Sequence, residues 1–355
     1  MAEAPSGPIK LDAGALVDNK WRVEAKLGEG GCGAVYQVVN VINGVRAALK
    51  AEKIQRDKDD EVLRMEVRIL KRVENKEHVC HLYTYGKTDV YNYMVVSLVG
   101  VDLQDLRRMC PHHHCSTGTA NRLAIQCLEA IQSIHDIGYV HRDIKPHNFA
   151  LGTGSAKRTV FILDFGLARQ FQVVSSAGVK ILREPRVNVP FRGTVRYCSL
   201  NIHRRLEQGR HDDLWSLMYV VVELIRGRLP WRDRDKEESR RMKSTTSDRQ
   251  LLANCPTEYF SVLRHLRQLT YADKPDYQMI LEKFTAFMVR KRYKMDAPFD
   301  WEPGGRFYNY FKNLPTFQQT AGEPVASDTV EEQTTTSDRT KRSQLTLNSS
   351  QLTSP

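Results

Sequence analysis

The sequence predicts an α+β protein in two lobes, a small β-rich lobe that carries one helix and a larger, mainly helical one. Three observations carry that expectation. Short runs rich in Val, Leu and Tyr, broken by Gly, Asn and Asp, crowd the span from Trp21 to Val96. Within it, "DEVLRMEVRILKRVEN" spaces Val62, Leu63, Val67, Leu70 and Val73 as an amphipathic helix does. After Asp102 the periodicity turns helical and stays so.

Five strands make up the first lobe: "RVEAKLGEG", "AVYQVVNVI", "VRAALKAE", "HLYTYGKTD" and "YNYMVVSLV". The amphipathic helix separates the third from the fourth. Downstream, "NRLAIQCLEAIQSIHDIG" reads as a helix closed by Gly138, and "DDLWSLMYVVVELIRG" is so apolar that it belongs inside the fold. The tail "TSDRTKRSQLTLNSSQLTSP" is rich in Ser, Thr and Gln and poor in aromatics, so it lacks the apolar surface that would offset ordering. The expected organisation is an N-terminal extension over 1–20, a small lobe over 21–98, a large lobe over 99–312 and a disordered Ser/Thr-rich tail over 313–355.

Composition narrows the function classes. A hydrophobic share of 41% and a charged share of 27% are ordinary for a globular protein, and no apolar run approaches the roughly 20 residues of a membrane helix. The start "MAEAPSGPIKLDAGALV" lacks the basic and continuously apolar parts of a secretory signal. Cytoplasm, with access to the nucleus, is the expected compartment, and the seven scattered cysteines are expected to be free thiols. A formal charge of +11 implies attraction to something acidic. No Lys/Arg run with interleaved aromatics argues for a nucleic-acid surface, so neither nucleic acid nor membrane is the expected partner.

The motifs follow in chain order. "LGEGGCGAV" places Gly28, Gly30, Gly31 and Gly33 in a phosphate-loop spacing that a plain hairpin turn satisfies equally well. A dinucleotide fold would continue as a helix, whereas "AVYQVVNV" alternates as a strand. Glycines let backbone N–H groups approach phosphate oxygens, and Val35 is placed to cover a base. Lys50 ends a strand, and Glu66 lies on the inner part of the amphipathic helix, where an ion pair would anchor the flexible lysine stem.

"YVHRDIKPHNFAL" offers Asp143 to accept a hydroxyl proton, Lys145 to steady a transferred phosphoryl group and Asn148 to ligate Mg2+. "ILDFGLA" then holds Asp164 at the end of an apolar strand. Hard Mg2+ takes one or two protein oxygens and completes its shell with phosphate and water, a demand Asn148 and Asp164 fit. Elsewhere, "CPHHHC" is too compact to wrap a tetrahedral zinc, and Cys32 reads as a turn filler unless nearby cations make it reactive.

Taken in this order, Gly28 to Val35, Lys50, Glu66, "HRDIKPHN" and "DFG" resemble the signature set of protein kinases. The resemblance implies a bilobal protein kinase fold, with ATP and Mg2+ as cofactors. It implies a cofactor site of Leu27, Gly28, Gly30, Gly31, Gly33, Val35, Ala48, Lys50, Ser97 and Val99. Ser97 and Val99 would hydrogen-bond adenine, with Val96 behind it. Asn148 and Asp164 would hold the metal, while Asp143, Lys145, Lys50, Glu66 and Thr194 would form the catalytic set. His141 and Arg142 would be supports, and Asp213 would anchor the loop. Lys145 resembles the serine/threonine kinases.

In place of an A-P-E closure stands "GTVRYCSLNIH", similar to the casein kinase one group. "HVCHLYTYGKTDVYNYMVV", "GRHDDLWSL" and "PFDWE" resemble the tau-tubulin kinases within it. That likeness implies activity without a phosphorylation switch and cytoskeletal substrates of the tubulin or tau kind, acted on by a monomer. By the same likeness Thr194 bonds toward Asp143 and Lys145. Arg183, Arg186, Arg192 and Arg196 make the segment after "DFG" basic, so it could hold an acidic or phosphorylated side chain. Arg196, Arg192 and Lys236 are the candidate anion-binding residues, against a plain solvated basic face. The competing classes are a pseudokinase and a binder of acidic polymers such as microtubules.

Overall fold

A computed structural model of the chain describes residues 9–30, 33–54 and 62–314. Gly31, Cys32 and the tail from residue 315 onward lie outside the described residues. The first lobe is built from β1 (Leu16–Val17), β2 (Trp21–Gly30), β3 (Gly33–Asn40), β4 (Arg46–Lys53), helix α1 (Val62–Arg72), β5 (Leu82–Lys87) and β6 (Tyr91–Ser97). Its strands form one antiparallel sheet in the order β1-β2-β3-β4-β6-β5. The sheet therefore has six strands where the sequence suggests five. The extra one, β1, is two residues long and too short to show alternation.

Alternation along the sheet separates a core from a cleft. On β3 and β4 the buried apolar side chains are Ala34, Tyr36, Val38, Ala47, Leu49 and Ala51, which close a small core with Trp21, Val23 and Val95. Their neighbours Val35, Ala48 and Lys50 fall on the opposite face because successive strand residues point to opposite sides. Register pairs Val35 with Lys50 and Ala48 with Val96, so four positions of the expected ATP site share that face.

The second lobe begins with α2 (Leu103–Met109) and α3 (Thr117–Asp136), followed by the short strands β7 (Tyr139–Val140), β8 (Phe149–Leu151) and β9 (Val160–Ile162). After these come β10 (Arg169–Gln170), β11 (Gln172–Val174) and β12 (Lys180–Leu182). Helices α4 (Leu200–His203), α5 (Arg210–Arg226), α6 (Lys236–Thr245), α7 (Asp248–Leu251), α8 (Tyr259–Gln268), α9 (Tyr277–Arg290) and α10 (Tyr308–Phe311) complete it. As the sequence suggests, Gly138 stops α3: it adopts φ 84° and its N–H bonds the His135 carbonyl at 3.0 Å. The apolar α5 is buried along most of its length. Leu63, Val67, Ile69 and Leu70 of α1, which packs on β5 and β6, belong to an apolar cluster that continues into α3 and α5 of the large lobe.

Candidate active site

The site is built around one buried carboxylate. Asp213, near the start of α5, accepts the backbone N–H groups of His141 at 2.7 Å and Arg142 at 2.9 Å, and His135 Nε2 at 2.8 Å. Burial would raise its carboxyl, but these donors and the nearby imidazoles outweigh that, and its pKa lies below the usual carboxylate value. The loop it suspends includes Arg142 at φ 69°. Such a conformation persists only where the surroundings over-determine it, and here two of the three bonds to Asp213 come from that loop's backbone.

His141, fully buried, ties the loop to the next strand: its Nε2 meets the Leu163 carbonyl at 3.0 Å and its Nδ1 takes the Asp143 N–H at 3.3 Å. One imidazole thus holds the loop to the residue preceding Asp164. Asp143 Oδ2 accepts from Lys145 Nζ at 2.6 Å, and Oδ1 accepts from Thr194 Oγ1 at 2.7 Å. Asn148 Nδ2 donates to the Asp143 carbonyl at 2.8 Å. With its nitrogen committed there, the amide oxygen is the end left for a cation. The Asn148 carbonyl accepts the Leu163 N–H at 2.9 Å, which sets Asn148 and Asp164 at one end of the β8–β9 pair.

Across the cleft, Lys50 forms an ion pair with Glu66 and lies 3.6 Å from Asp164. Glu66 is 2% exposed, and burial pushes its carboxyl up to about 7 against the pull of Lys50. Burial also raises Asp164, but Lys50, His141, the Gly166 N–H and Lys145 hold it below the usual range overall. Gly33 is required: at φ +121° an added Cβ would lie 2.1 Å from the Ala51 carbonyl oxygen. Gly193, which leads into Thr194, is equally constrained, since its Cβ would meet the Arg142 carbonyl oxygen at 2.6 Å. Leu27 is half exposed on β2. At the link between lobes, the Ser97 N–H is used by the His81 carbonyl at 3.0 Å, while Val99 makes no backbone bond among the described residues.

The basic segment is less free than its composition suggests. Arg186 makes a two-pronged contact with Glu207, at 2.6 and 3.1 Å, and Arg169 approaches the same carboxylate at 3.5 Å. Burial brings the Arg142 guanidinium down to about 10, with Arg169 pushing the same way and Glu207 opposing. Of the three candidate anion-binding residues, Arg192 is exposed. Arg196 is already met by Asp233 at 3.2 Å and Glu223 at 3.7 Å, and Lys236 lies 4.2 Å over the Phe191 ring.

Three supporting residues carry no motif. Glu52 Oε atoms accept the Val62 and Leu63 N–H groups at 3.1 and 2.8 Å, capping α1 and so fixing Glu66. Glu207 gathers the arginines described above. Lys243, buried and lowered by that burial to about 8, donates to the Val195 and Cys198 carbonyls at 2.6 and 2.7 Å. It is therefore Lys243, rather than Lys236, that grips the segment following Thr194. An amphipathic pattern would have hinted at the inward face of α6; nothing in the sequence marks Glu52 or Glu207.

Comparison with known proteins bears on the family. The protein kinase domain matches residues 21–297. A Dictyostelium discoideum protein named as a serine/threonine-protein kinase is 39% identical over 296 residues, 83% of this chain and 59% of its own length. A Caenorhabditis elegans protein so named is 41% identical over 302 residues, 84% of this chain and 86% of that one. Another from the same organism, named as a casein kinase I, is 31% identical over 311 residues, or 86% and 89%. The matched part of this chain thus spans less than two thirds of the Dictyostelium relative. The domain match over residues 21–297, together with these relatives, places the chain in the protein kinase family as a serine/threonine kinase domain.

Proposed function

We propose that this kinase transfers the γ-phosphoryl group of MgATP to serine or threonine hydroxyls of acidic or phosphorylated proteins, cytoskeletal ones of the tubulin or tau kind among them. We assign it to the casein kinase one group, nearest the tau-tubulin kinases. The observation that carries the reading is a pair of polar sets bridged by His141: Glu66 to Lys50 and Lys50 to Asp164, and Asp143 to Lys145, Thr194 and Asn148.

Among the described residues no three His, Cys, Asp or Glu side chains form a metal cage. Asn148 and Asp164 would hold Mg2+, whose shell is otherwise filled by phosphate and water. Bound there, MgATP supplies the phosphoryl group and much of the charge neutralisation. Glu66 keeps Lys50 extended toward the phosphates. Gly28, Gly30 and Gly33 line the phosphate loop, Val35, Ala48 and Leu27 flank the base, and Ser97 and Val99 offer backbone groups to adenine. Asp143 orients the acceptor hydroxyl and takes its proton, and Thr194 and Lys145 fix the rotamer in which it does so.

The same reading gives an enzyme active without a phosphorylated loop, because Glu207 already supplies negative charge to Arg186 and Arg169. Phosphatase treatment is expected to leave the rate unchanged. Arg196 exchanging its internal partner Asp233 for a substrate anion would provide the acidic preference. Equal preference for acidic over neutral peptides in wild type and Arg196→Ala would remove that role. The reading further places a monomer in the cytoplasm and nucleus, to be checked by sedimentation and by imaging of tagged protein. Magnesium-dependent labelling of casein, lost in Lys50→Met, tests the catalytic claim itself; equal labelling by both would overturn it.

A further inference from the structure

Away from the cleft, the surface that follows α5 holds an open pocket of about 760 Å3. Arg226, Arg228, Arg232 and Arg234 line it, and Asp233 is the one carboxylate among the lining residues. That carboxylate is already shared, lying 3.3 Å from Arg232 and 3.2 Å from Arg196. Arg226 is fixed by neutral partners, donating through Nη1 to the Gln250 and Leu251 carbonyls, each at 2.9 Å. Its charge therefore stays uncompensated while its orientation is set. Arg228 is exposed and makes no ion pair among the described residues, and Arg234 has only a 3.7 Å contact with the partly exposed Glu238. Four guanidinium groups around a cavity, answered by one shared lining carboxylate and by the more distant Glu238, create a positive local potential.

We infer that this arginine pocket is a docking site for an acidic or phosphorylated peptide segment of the protein substrate, separate from the residues that handle the acceptor hydroxyl. The inference rests on the kinase reading for its substrate, though not for its binding chemistry. Guanidinium forks match carboxylate and phosphate oxygens two at a time. Leu229, Pro230, Met242 and Ala253 add an apolar floor that peptide side chains can cover. Among the described residues no aromatic ring lines the pocket to stack a nucleic-acid base. Trp231, the nearest indole in sequence, is 2% exposed and has its Nε1–H committed to the Arg196 carbonyl at 2.7 Å.

Position supports the assignment. Asp233 and Trp231 both touch Arg196, two residues from the Thr194 that bonds Asp143. A peptide seated in the pocket would thus continue toward the acceptor position, and its tether would raise the acceptor's effective concentration there.

The test uses the full chain and a fluorescein-labelled peptide of alternating phosphoserine and glutamate, read by anisotropy without ATP. Wild type is expected to bind it, more weakly as salt rises. Arg228→Glu with Arg234→Glu should weaken binding about tenfold or more, while the paired Lys replacements keep most of it. In turnover assays the charge-reversed enzyme should show a raised KM for a substrate carrying the acidic stretch, with kcat unchanged. A short substrate holding only the acceptor should be handled as by wild type. Equal peptide affinity in wild type and the reversed variant would overturn the docking site, as would arginine-dependent capture of RNA or anionic vesicles without capture of the peptide. If no phosphate moves while anisotropy behaves as expected, the catalytic reading alone falls; if transfer is intact while reversal changes nothing, the docking site alone falls.

Discussion

The two walls of the cleft hold their charges by different means. On the large-lobe side, the loop from His141 to Asn148 hangs from Asp213 by backbone hydrogen bonds, and His141 stitches it to Leu163. On the small-lobe side, Lys50 is held by an ion pair to Glu66, carried on a helix whose first N–H groups are capped by Glu52. Backbone bonds to a buried carboxylate have short lever arms and little freedom. An ion pair at the end of a four-carbon stem is adjustable and responds to pH. The large-lobe wall is therefore the preorganised one, and the small-lobe wall the one that conditions can tune.

The largest expected effect sharpens the contrast by leaving the scaffold intact. Asp143→Asn should lower kcat by about 10^3-fold, the size expected for a lost proton acceptor, with the melting temperature nearly unchanged. A thermal shift equal to that of the scaffold variants would show that Asp143 is structural instead. Asp213→Ala attacks the scaffold itself. Removing one partner from a buried, hydrogen-bonded charge set is worth about 3–5 kcal/mol, so urea unfolding should move strongly and activity fall with it. Unchanged unfolding would break the claim that the large-lobe wall hangs from this residue.

Glu66→Gln probes the tunable wall and should lower kcat/KM about tenfold or more at pH 8. Burial places the Glu66 carboxyl at about 7, above its ordinary 4.5. The wild-type rate should therefore rise through about pH 7 as the carboxylate that pairs with Lys50 forms, and the variant should lack that limb. The linked stability has the opposite sign. A folded-state pKa raised above the unfolded value contributes stability that is fully present below about 4.5 and lost as pH rises through about 7. Identical pH profiles for the two proteins would remove Glu66 from the titration. The smallest effect is that of Glu52→Gln, which weakens the cap on α1 by about 1 kcal/mol. Faster amide exchange confined to the start of that helix is the expected signature.

Legibility in the sequence followed the range of the interactions. Glycine spacing, a lysine on a strand, and the short stretches around Asp143 and Asp164 are local patterns, because each needs only its neighbours to define its geometry; the strand itself runs three residues past Lys50, to Lys53, rather than ending there. Glu207, Lys243 and Glu52 show no such pattern, since their partners are distant or irregularly spaced: Lys243 bonds residues 45 and 48 positions away. The arginine content of the segment after Asp164 was visible, but its neutralisation was not. Whether Arg186 and Arg196 face water or a carboxylate depends on where α5 brings Glu223 and where the connections on either side of it bring Glu207 and Asp233.

The sequence by itself determined the two-lobed α+β layout, the alternation that splits β3 and β4 into core and cleft faces, and the residue types needed to handle a phosphoryl group. Those follow from periodicity and from side-chain chemistry, which are properties of short stretches. Only the tertiary structure decided which charges are already answered, which carboxylate suspends the loop around Asp143, and that four arginines surround one open pocket. Each of those depends on the distance between chains far apart in sequence, and electrostatic energy is set by that distance and by burial.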